Sequence, residues 1–102
     1  MTDVFADVAA RVLAEHPGDD QARMLHSPGL RTPAGFYAFA PGPDVIVKLP
    51  AARVRELIGA GDGEPCSPRP GHPMREWVRL PDPDEQTCLA RVLEARAFLT
   101  GT

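Results

Sequence analysis

The residues best suited to chemistry are concentrated in a proline-rich stretch, Asp62–Arg75, of this 102-residue chain. Cys66 and His72 are the residue types of a nucleophile and a general base, and Asp62 or Glu64 could orient that base. These residues are close only in sequence, because a proline-rich loop rarely holds three side chains within hydrogen-bonding distance. The alternative is a packed or surface cysteine beside an exposed histidine. We therefore predict no enzyme and no catalytic residues.

Metal and cofactor chemistry is not indicated by the remaining candidates. The three histidines share neither a helical face nor the spacing of metal ligands, and the two cysteines lack a Cys-x-x-Cys pair. Three glycines at every second position match neither dinucleotide-binding nor P-loop spacing. These residues are His16, His26 and His72, Cys66 and Cys88, and Gly59, Gly61 and Gly63. We predict no metal site, no cofactor and reduced cysteines.

A basic central segment with the single tryptophan is the stronger candidate for function. Residues 21–81 carry a net charge of +3, whereas residues 1–20 carry −4 and residues 82–102 carry −2. Arginines bind phosphates and carboxylates through forked hydrogen bonds, and tryptophan adds a stacking surface. The predicted binding surface consists of Arg23, Lys48, Arg53, Arg69, His72, Arg75, Trp77 and Arg79. The alternative is that Trp77 faces the core and that the arginines are solvent charges or partners of Glu64 and Glu76.

Helices and short strands must position these side chains. Apolar residues at spacings of three and four predict a first helix over about Asp3–Glu15, which His16-Pro17-Gly18 ends. Short β-branched and aromatic runs separated by glycine and proline predict antiparallel strands between Arg23 and Leu49. In the last of these strands alternate residues share a face, so one face belongs to the core and the other is partly wet.

The second half of the chain predicts two more helices. One covers about Pro50–Ala60, where Arg53 and Glu56 form a solvated face on which a phosphate could dock. After a strand over Glu76–Leu80, the last helix begins with Asp82 as its cap and runs to about Leu99. Consecutive strands with tight turns favour an antiparallel sheet. We predict one α+β domain over residues 1–102, with two layers and about five strands covered by three helices.

Two blocks of sequence resemble a known family. Val47-Lys48-Leu49-Pro50 and Met74-Arg75-Glu76-Trp77-Val78 are its most specific pieces, and Arg23-Met24-Leu25 is a further match. Together they resemble the TfoX N-terminal-domain-like family and, more distantly, the YjbR-like proteins, over about residues 5–99. The resemblance implies a two-layer fold with a twisted antiparallel sheet like that of secretion chaperones, and an association with regulation of competence genes. It implies no catalytic residues.

Three functional hypotheses follow from this sequence. The first is a binding or regulatory module that contacts protein or nucleic acid through its basic middle, with Arg31 joining the predicted surface. The second is a small-ligand binder or enzyme with its site beside the Pro65–Pro73 loop. The third is a homodimer formed through an edge or face of the sheet. No run of residues is long and apolar enough to span a membrane, so we expect a cytoplasmic chain without a membrane partner.

Overall fold

The structure, a computed structural model, describes residues 3–24, 26–66 and 75–101. Its elements follow one another along the chain as one helix, four strands, a second helix, two short strands and a third helix. They are α1 (Val4–Glu15), β1 (Asp20–Met24), β2 (Ser27–Thr32), β3 (Gly35–Phe39), β4 (Val45–Lys48), α2 (Ala51–Gly59), β5 (Glu64–Pro65), β6 (Trp77–Leu80) and α3 (Glu85–Thr100).

The strands form one antiparallel sheet in the order β1-β2-β3-β4-β6-β5. Alternation along β4 directs Val45 and Val47 to one face, where they join the helices in a common hydrophobic core. Ile46 points to the other face, which we call the open face. The architecture is therefore a two-layer α+β fold, as predicted.

Apolar residues of all three helices fill the main core. Phe5, Val8 and Val12 of α1 are buried against it, and so are Val54 of α2 and Val92 of α3. Within α1 these residues recur at the spacings of three and four that place them on one face of a helix. The three predicted helices are confirmed by the structure.

The start of α3 differs from the prediction. The N-cap is Asp84, whose carboxylate accepts a hydrogen bond from the backbone N–H of Thr87 at 2.7 Å. Asp82, predicted as the cap, instead adopts the left-handed conformation with a φ of 40°. Its backbone N–H donates to Asp44 Oδ1 at 3.0 Å, so this residue belongs to the turn after β6.

Over the part of the chain that the structure describes, the sheet has six strands, whereas about five were predicted. The first strand, β1, has the sequence Asp-Gln-Ala-Arg-Met, without the β-branched residues that signal a strand, and it pairs along its full length with β2. A further short strand, β5, has two residues and pairs with β6. In both cases pairing with a neighbouring strand, rather than local propensity, determines the conformation.

A bulge directs one buried tyrosine toward the helices. The register between β2 and β3 shifts so that Tyr37 has no direct partner between the pairs Leu30–Ala38 and Arg31–Phe36. Tyr37 and Ala38 are consecutive, yet both lie in the main core. The bulge therefore brings the Tyr37 hydroxyl within hydrogen-bonding distance of Asp19.

Candidate functional site

The predicted binding surface is divided between the two faces of the sheet. Lys48, Trp77 and Arg79 follow the open-face alternation of β4 and β6. Arg53 lies on α2, on the helix-covered side. Arg23 lies on β1 at the far edge of the sheet, and Arg75 is exposed just before β6. The two remaining members, Arg69 and His72, lie outside the described residues.

The ring of Trp77 is enclosed by its neighbours on the open face. It is 8% exposed and belongs to a second, smaller cluster with Phe39, Ile46 and Cys66. The Phe39 ring meets it edge-on at 5.6 Å between centroids, and the Lys48 ammonium lies 5.6 Å from its centroid. Trp77 is thus buried, but on the open face rather than in the main core. Its contacts are those of a packed residue and not of a stacking platform.

The open-face arginines are paired with carboxylates. Arg79 Nη1 donates to Asp44 Oδ2 at 2.9 Å, and this hydrogen bond lowers the pKa of Asp44. Arg31 and Asp20 form a two-pronged pair at 2.8 and 2.9 Å, and the Arg31 guanidinium also lies 5.8 Å from the Phe36 ring centroid. Both of these arginines are therefore neutralised by a neighbouring carboxylate, whereas the Lys48 ammonium lies over the Trp77 ring.

The proline-rich candidate site is partly described. Cys66 is buried, and desolvation raises the pKa of its thiol. Burial also raises the pKa of Cys88 to about 11. Thiols are nucleophilic as thiolates, so neither cysteine is an activated nucleophile. His72, the general base that was weighed together with Cys66, lies outside the described residues. Among the described residues no cluster of His, Cys, Asp and Glu has the arrangement of a metal site.

A groove of about 810 Å³ lies on the other side of the molecule, between α2, the turn after β6 and α3. Its volume falls within the range of ligand-binding clefts. The lining contains apolar, prolyl, basic and acidic residues together. They are Arg53, Glu56, Leu57, Ala60, Gly61, Asp62, Leu80, Pro81, Pro83, Asp84, Thr87 and Arg91.

One carboxylate fixes the two arginines of this groove. Arg53 Nε donates to Glu94 Oε2 at 2.8 Å, and Arg91 Nη1 donates to Glu94 Oε1 at 2.8 Å. The first of these bonds raises the pKa of Arg53. Glu94 itself is not part of the lining. It therefore holds two guanidinium groups beside the groove, and each guanidinium has N–H donors beyond those that Glu94 accepts.

Three acidic residues, Glu56, Asp62 and Asp84, also line the groove. Asp84 precedes Arg91 by seven residues, which is about 10 Å along α3. Its carboxylate caps the helix, and the hydrogen bond from Thr87 lowers its pKa. Asp62 follows the C-terminal end of α2, and its backbone N–H donates to Leu57 O at 2.9 Å. Glu56 Oε1 lies 4.0 Å from Arg53 Nη1, and the charge of Asp62 contributes to the raised pKa of Arg53. Acidic and basic groups are therefore interspersed along the groove.

Sequence reasoning found part of this groove. Arg53 and Glu56 were noted as a helical face on which an anion could dock, and Asp62 was considered as a catalytic carboxylate. Arg91 and Glu94 were not singled out, although their i, i+3 spacing was a signal for an ion pair on α3. The pair between Arg53 and Glu94 joins residues 41 positions apart, and no local pattern predicts it.

A smaller concavity, of about 610 Å³, lies at one end of the sheet. It is lined by the α1–β1 connection and by the turn between β2 and β3, including Asp20, Arg31 and Phe36. Its charged residues are already paired, Asp20 with Arg31 and Asp19 with Arg96. The groove between α2 and α3 therefore offers the more complete set of binding groups.

The fold and the groove define a two-layer α+β domain with a mixed-charge cleft. Comparison of the chain with protein-family models, with curated proteins and with solved structures finds no match in any of the three. Over the described residues, no helix combines the length and apolar character needed to cross a bilayer.

Proposed function

We propose that this chain is a non-enzymatic binding module that holds a segment of another protein in the groove between α2 and α3. The observation that carries this proposal is the composition of the groove. Leu57, Leu80 and two prolines provide apolar contact, while Arg53 and Arg91 provide hydrogen-bond donors. Arginine surrounded by apolar groups is a recurrent centre of protein–protein recognition.

The Glu94 clamp makes the two arginines suitable for binding. A free arginine loses side-chain entropy when it binds, whereas Arg53 and Arg91 are already oriented by Glu94. Their remaining N–H groups suit a carboxylate, which accepts forked hydrogen bonds from guanidinium groups. We expect the bound segment to place an acidic side chain or a terminal carboxylate beside these arginines.

The charge distribution favours protein over nucleic acid as the partner. Nucleic-acid affinity rests on uninterrupted positive potential along phosphates. Here Asp62, Asp84 and Glu56 line the same groove as the two arginines, and Asp44 neutralises Arg79 on the open face. A segment that alternates acidic, apolar and basic residues matches such a surface better than a polyanion does. The resemblance to a family associated with gene regulation also suits a binding role.

The test is selection of peptides from a displayed library of random linear sequences against the wild-type chain, followed by affinity measurements. A Thr87→Trp variant fills the groove from α3, where Thr87 is exposed. The matched control is Gln86→Trp, which places the same ring on the neighbouring exposed position outside the groove lining. We expect the first change to weaken peptide binding by about tenfold or more, and the control to leave it nearly unchanged.

A charge-removing pair tests the role of the arginines. Arg91→Gln keeps a hydrogen-bonding side chain beside Glu94 but removes the forked donor, and Arg55→Gln makes the same change at an exposed position on α2 that does not line the groove. Arg91→Gln should weaken the binding of acidic peptides more than that of other peptides, and Arg55→Gln should not.

A random-sequence DNA duplex is measured in parallel across salt concentrations. Tight DNA binding that falls steeply with salt, together with equal peptide affinities for both tryptophan variants, would replace this proposal with the nucleic-acid hypothesis.

A further inference from the structure

The two edges of the sheet are built differently. At one edge β5 has only two residues, one of which is Pro65. Short length and proline are devices that prevent an edge from pairing with another strand. At the other edge β1 has five residues without proline, and it is paired with β2 on one side. This contrast makes β1 the edge at which another strand can add.

The position of Pro28 shows which backbone groups of β1 face outward. Pro28 lies opposite Arg23, and its carbonyl accepts a hydrogen bond from the Ala40 N–H at 2.9 Å on the β3 side. Because proline has no N–H, Arg23 and Pro28 form a non-hydrogen-bonded pair. Alternation then directs the N–H and C=O of Ala22 toward β2. The same groups of Gln21 and Arg23 point away from the sheet.

We propose that a second copy of this chain adds to this edge, β1 against β1, antiparallel about a two-fold axis at Ala22. Gln21 then lies opposite the partner's Arg23, and Arg23 opposite the partner's Gln21. Both residues direct their N–H and C=O outward, so each pair forms two backbone hydrogen bonds. The small Ala22 side chains meet on the axis, where a non-hydrogen-bonded pair brings side chains close together.

Other registers of the same strand are disfavoured. Residues that lie opposite each other in a sheet direct their side chains to the same face. The two-fold axis must therefore pass through a residue of β1 and not between two residues, because consecutive residues direct their side chains to opposite faces. An axis at Arg23 places two arginines opposite each other, and like charges at such positions are destabilising. An axis at Gln21 requires the backbone of Asp19 for its outer hydrogen bonds. The N–H of Asp19 already donates to His16 O at 3.0 Å. The register at Ala22 therefore uses the outward groups most completely.

The test is the mass in solution, measured by sedimentation or light scattering over increasing protein concentration. We expect the mass to rise from the 11.0 kDa of one chain toward twice that value. The decisive variant is Gln21→Pro, which removes an outward N–H while leaving the β1–β2 hydrogen bonds in place. Gln21→Thr is the matched control, because it keeps the N–H and suits a strand. We expect the proline variant to weaken self-association by about tenfold or more and the threonine variant to preserve it.

Amide hydrogen exchange on the wild-type chain tests the same interface without a variant. Exchange of the Gln21 and Arg23 amides should slow as concentration rises, while the Ala22 amide, already bonded within the sheet, should change little. A chain that stays monomeric at every concentration, or a dimer in which these two amides exchange as fast as in dilute solution, would overturn the proposal. So would a proline variant that folds and dimerises as tightly as the wild type.

Discussion

Arg96 and Asp19 form an ion pair, with Arg96 Nε 2.7 Å from Asp19 Oδ2. The pair joins two residues that are 77 positions apart in the sequence. The Asp19 side chain is 1% exposed and that of Arg96 is 21% exposed. The Tyr37 hydroxyl donates to the same Asp19 oxygen at 2.9 Å. This cluster fastens α3 to β3 and to the residue that precedes β1.

Removal of the shared carboxylate should be the most damaging change in this cluster. Asp19→Ala leaves the buried Tyr37 hydroxyl and the Arg96 guanidinium without their acceptor, and we expect a loss of about 3–5 kcal/mol in the free energy of unfolding. Tyr37→Phe removes one donor and should cost about 1 kcal/mol. Urea denaturation gives both values. Asp20→Ala, which breaks an exposed pair with Arg31, is the control and should change stability little; equal losses for Asp19 and Asp20 would contradict this account.

The single tyrosine should remain protonated in the folded chain at alkaline pH. Burial, and then the hydrogen bond to Asp19, raise the pKa of Tyr37 well above its ordinary value of 10.0. Above that value the unfolded chain releases a proton that the folded chain keeps. The free energy of unfolding therefore falls by about 1.4 kcal/mol per pH unit from this group. The ultraviolet absorbance of tyrosinate should appear together with unfolding, and its appearance in the folded chain near pH 10 would contradict the buried cluster.

Replacement by alanine at two glycines should change the stability of the chain in opposite directions. A Cβ on Gly63 would lie 2.6 Å from Val78 Cγ2 and 3.4 Å from Leu57 Cβ, so Gly63 permits the close approach of the α2–β5 connection to β6. We expect Gly63→Ala to cost about 1–3 kcal/mol. Gly59 ends α2, and a Cβ there meets no atom within 4 Å. Gly59→Ala should stabilise the chain by about 0.5 kcal/mol, because alanine favours the helix. Thermal unfolding of both variants checks the signs.

Replacement of the two aspartates before α3 should have different effects on the stability of the chain. Asp84→Ala removes the acceptor for the Thr87 N–H and should lower the denaturation midpoint. Asp82→Asn keeps a residue that tolerates the left-handed conformation and should have little effect. The hydrogen bond from Thr87 holds the pKa of Asp84 below its ordinary value of 3.8. The charged carboxylate therefore adds to the free energy of unfolding above pH 3.8, and this contribution is lost as the pH falls through the pKa of Asp84 in the folded chain. The difference in stability between Asp84→Ala and wild type should therefore become smaller in acid, because the neutral carboxyl group is a weaker acceptor for the Thr87 N–H.

Elements whose patterns are local could be predicted from the sequence. The stripe of Val54 and Leu57 in α2 and the alternation of Val45 and Val47 in β4 both depend on neighbours within a few residues, and both are confirmed. The strand β1 was not predicted as a full strand because its residues have little β-propensity, and its pairing with β2 determines its conformation. The cap was assigned to Asp82 rather than Asp84 because Asp82 and Glu85 match the pattern of a capping box.

The candidate site was harder to predict for a related reason. Its central contact, from Arg53 to Glu94, depends on the way α2 and α3 pack over the sheet. The predicted basic surface treated residues from separate elements as one set. The fold separates its described members, with Lys48, Trp77 and Arg79 on the open face and Arg53 on α2 on the helix-covered side. The binding chemistry of individual residues could thus be predicted from the sequence. Which of these residues would line the same groove could not.

The most direct test of the proposed function compares the dissociation constants of one selected peptide for the wild-type chain, Thr87→Trp and Gln86→Trp. All three should show the same circular dichroism and unfolding midpoint, since both positions are exposed on α3. The account predicts that the ring at position 87 weakens binding by about tenfold or more and that the ring at position 86 does not. Equal affinities for the two tryptophan variants would show that the groove between α2 and α3 is not the binding site.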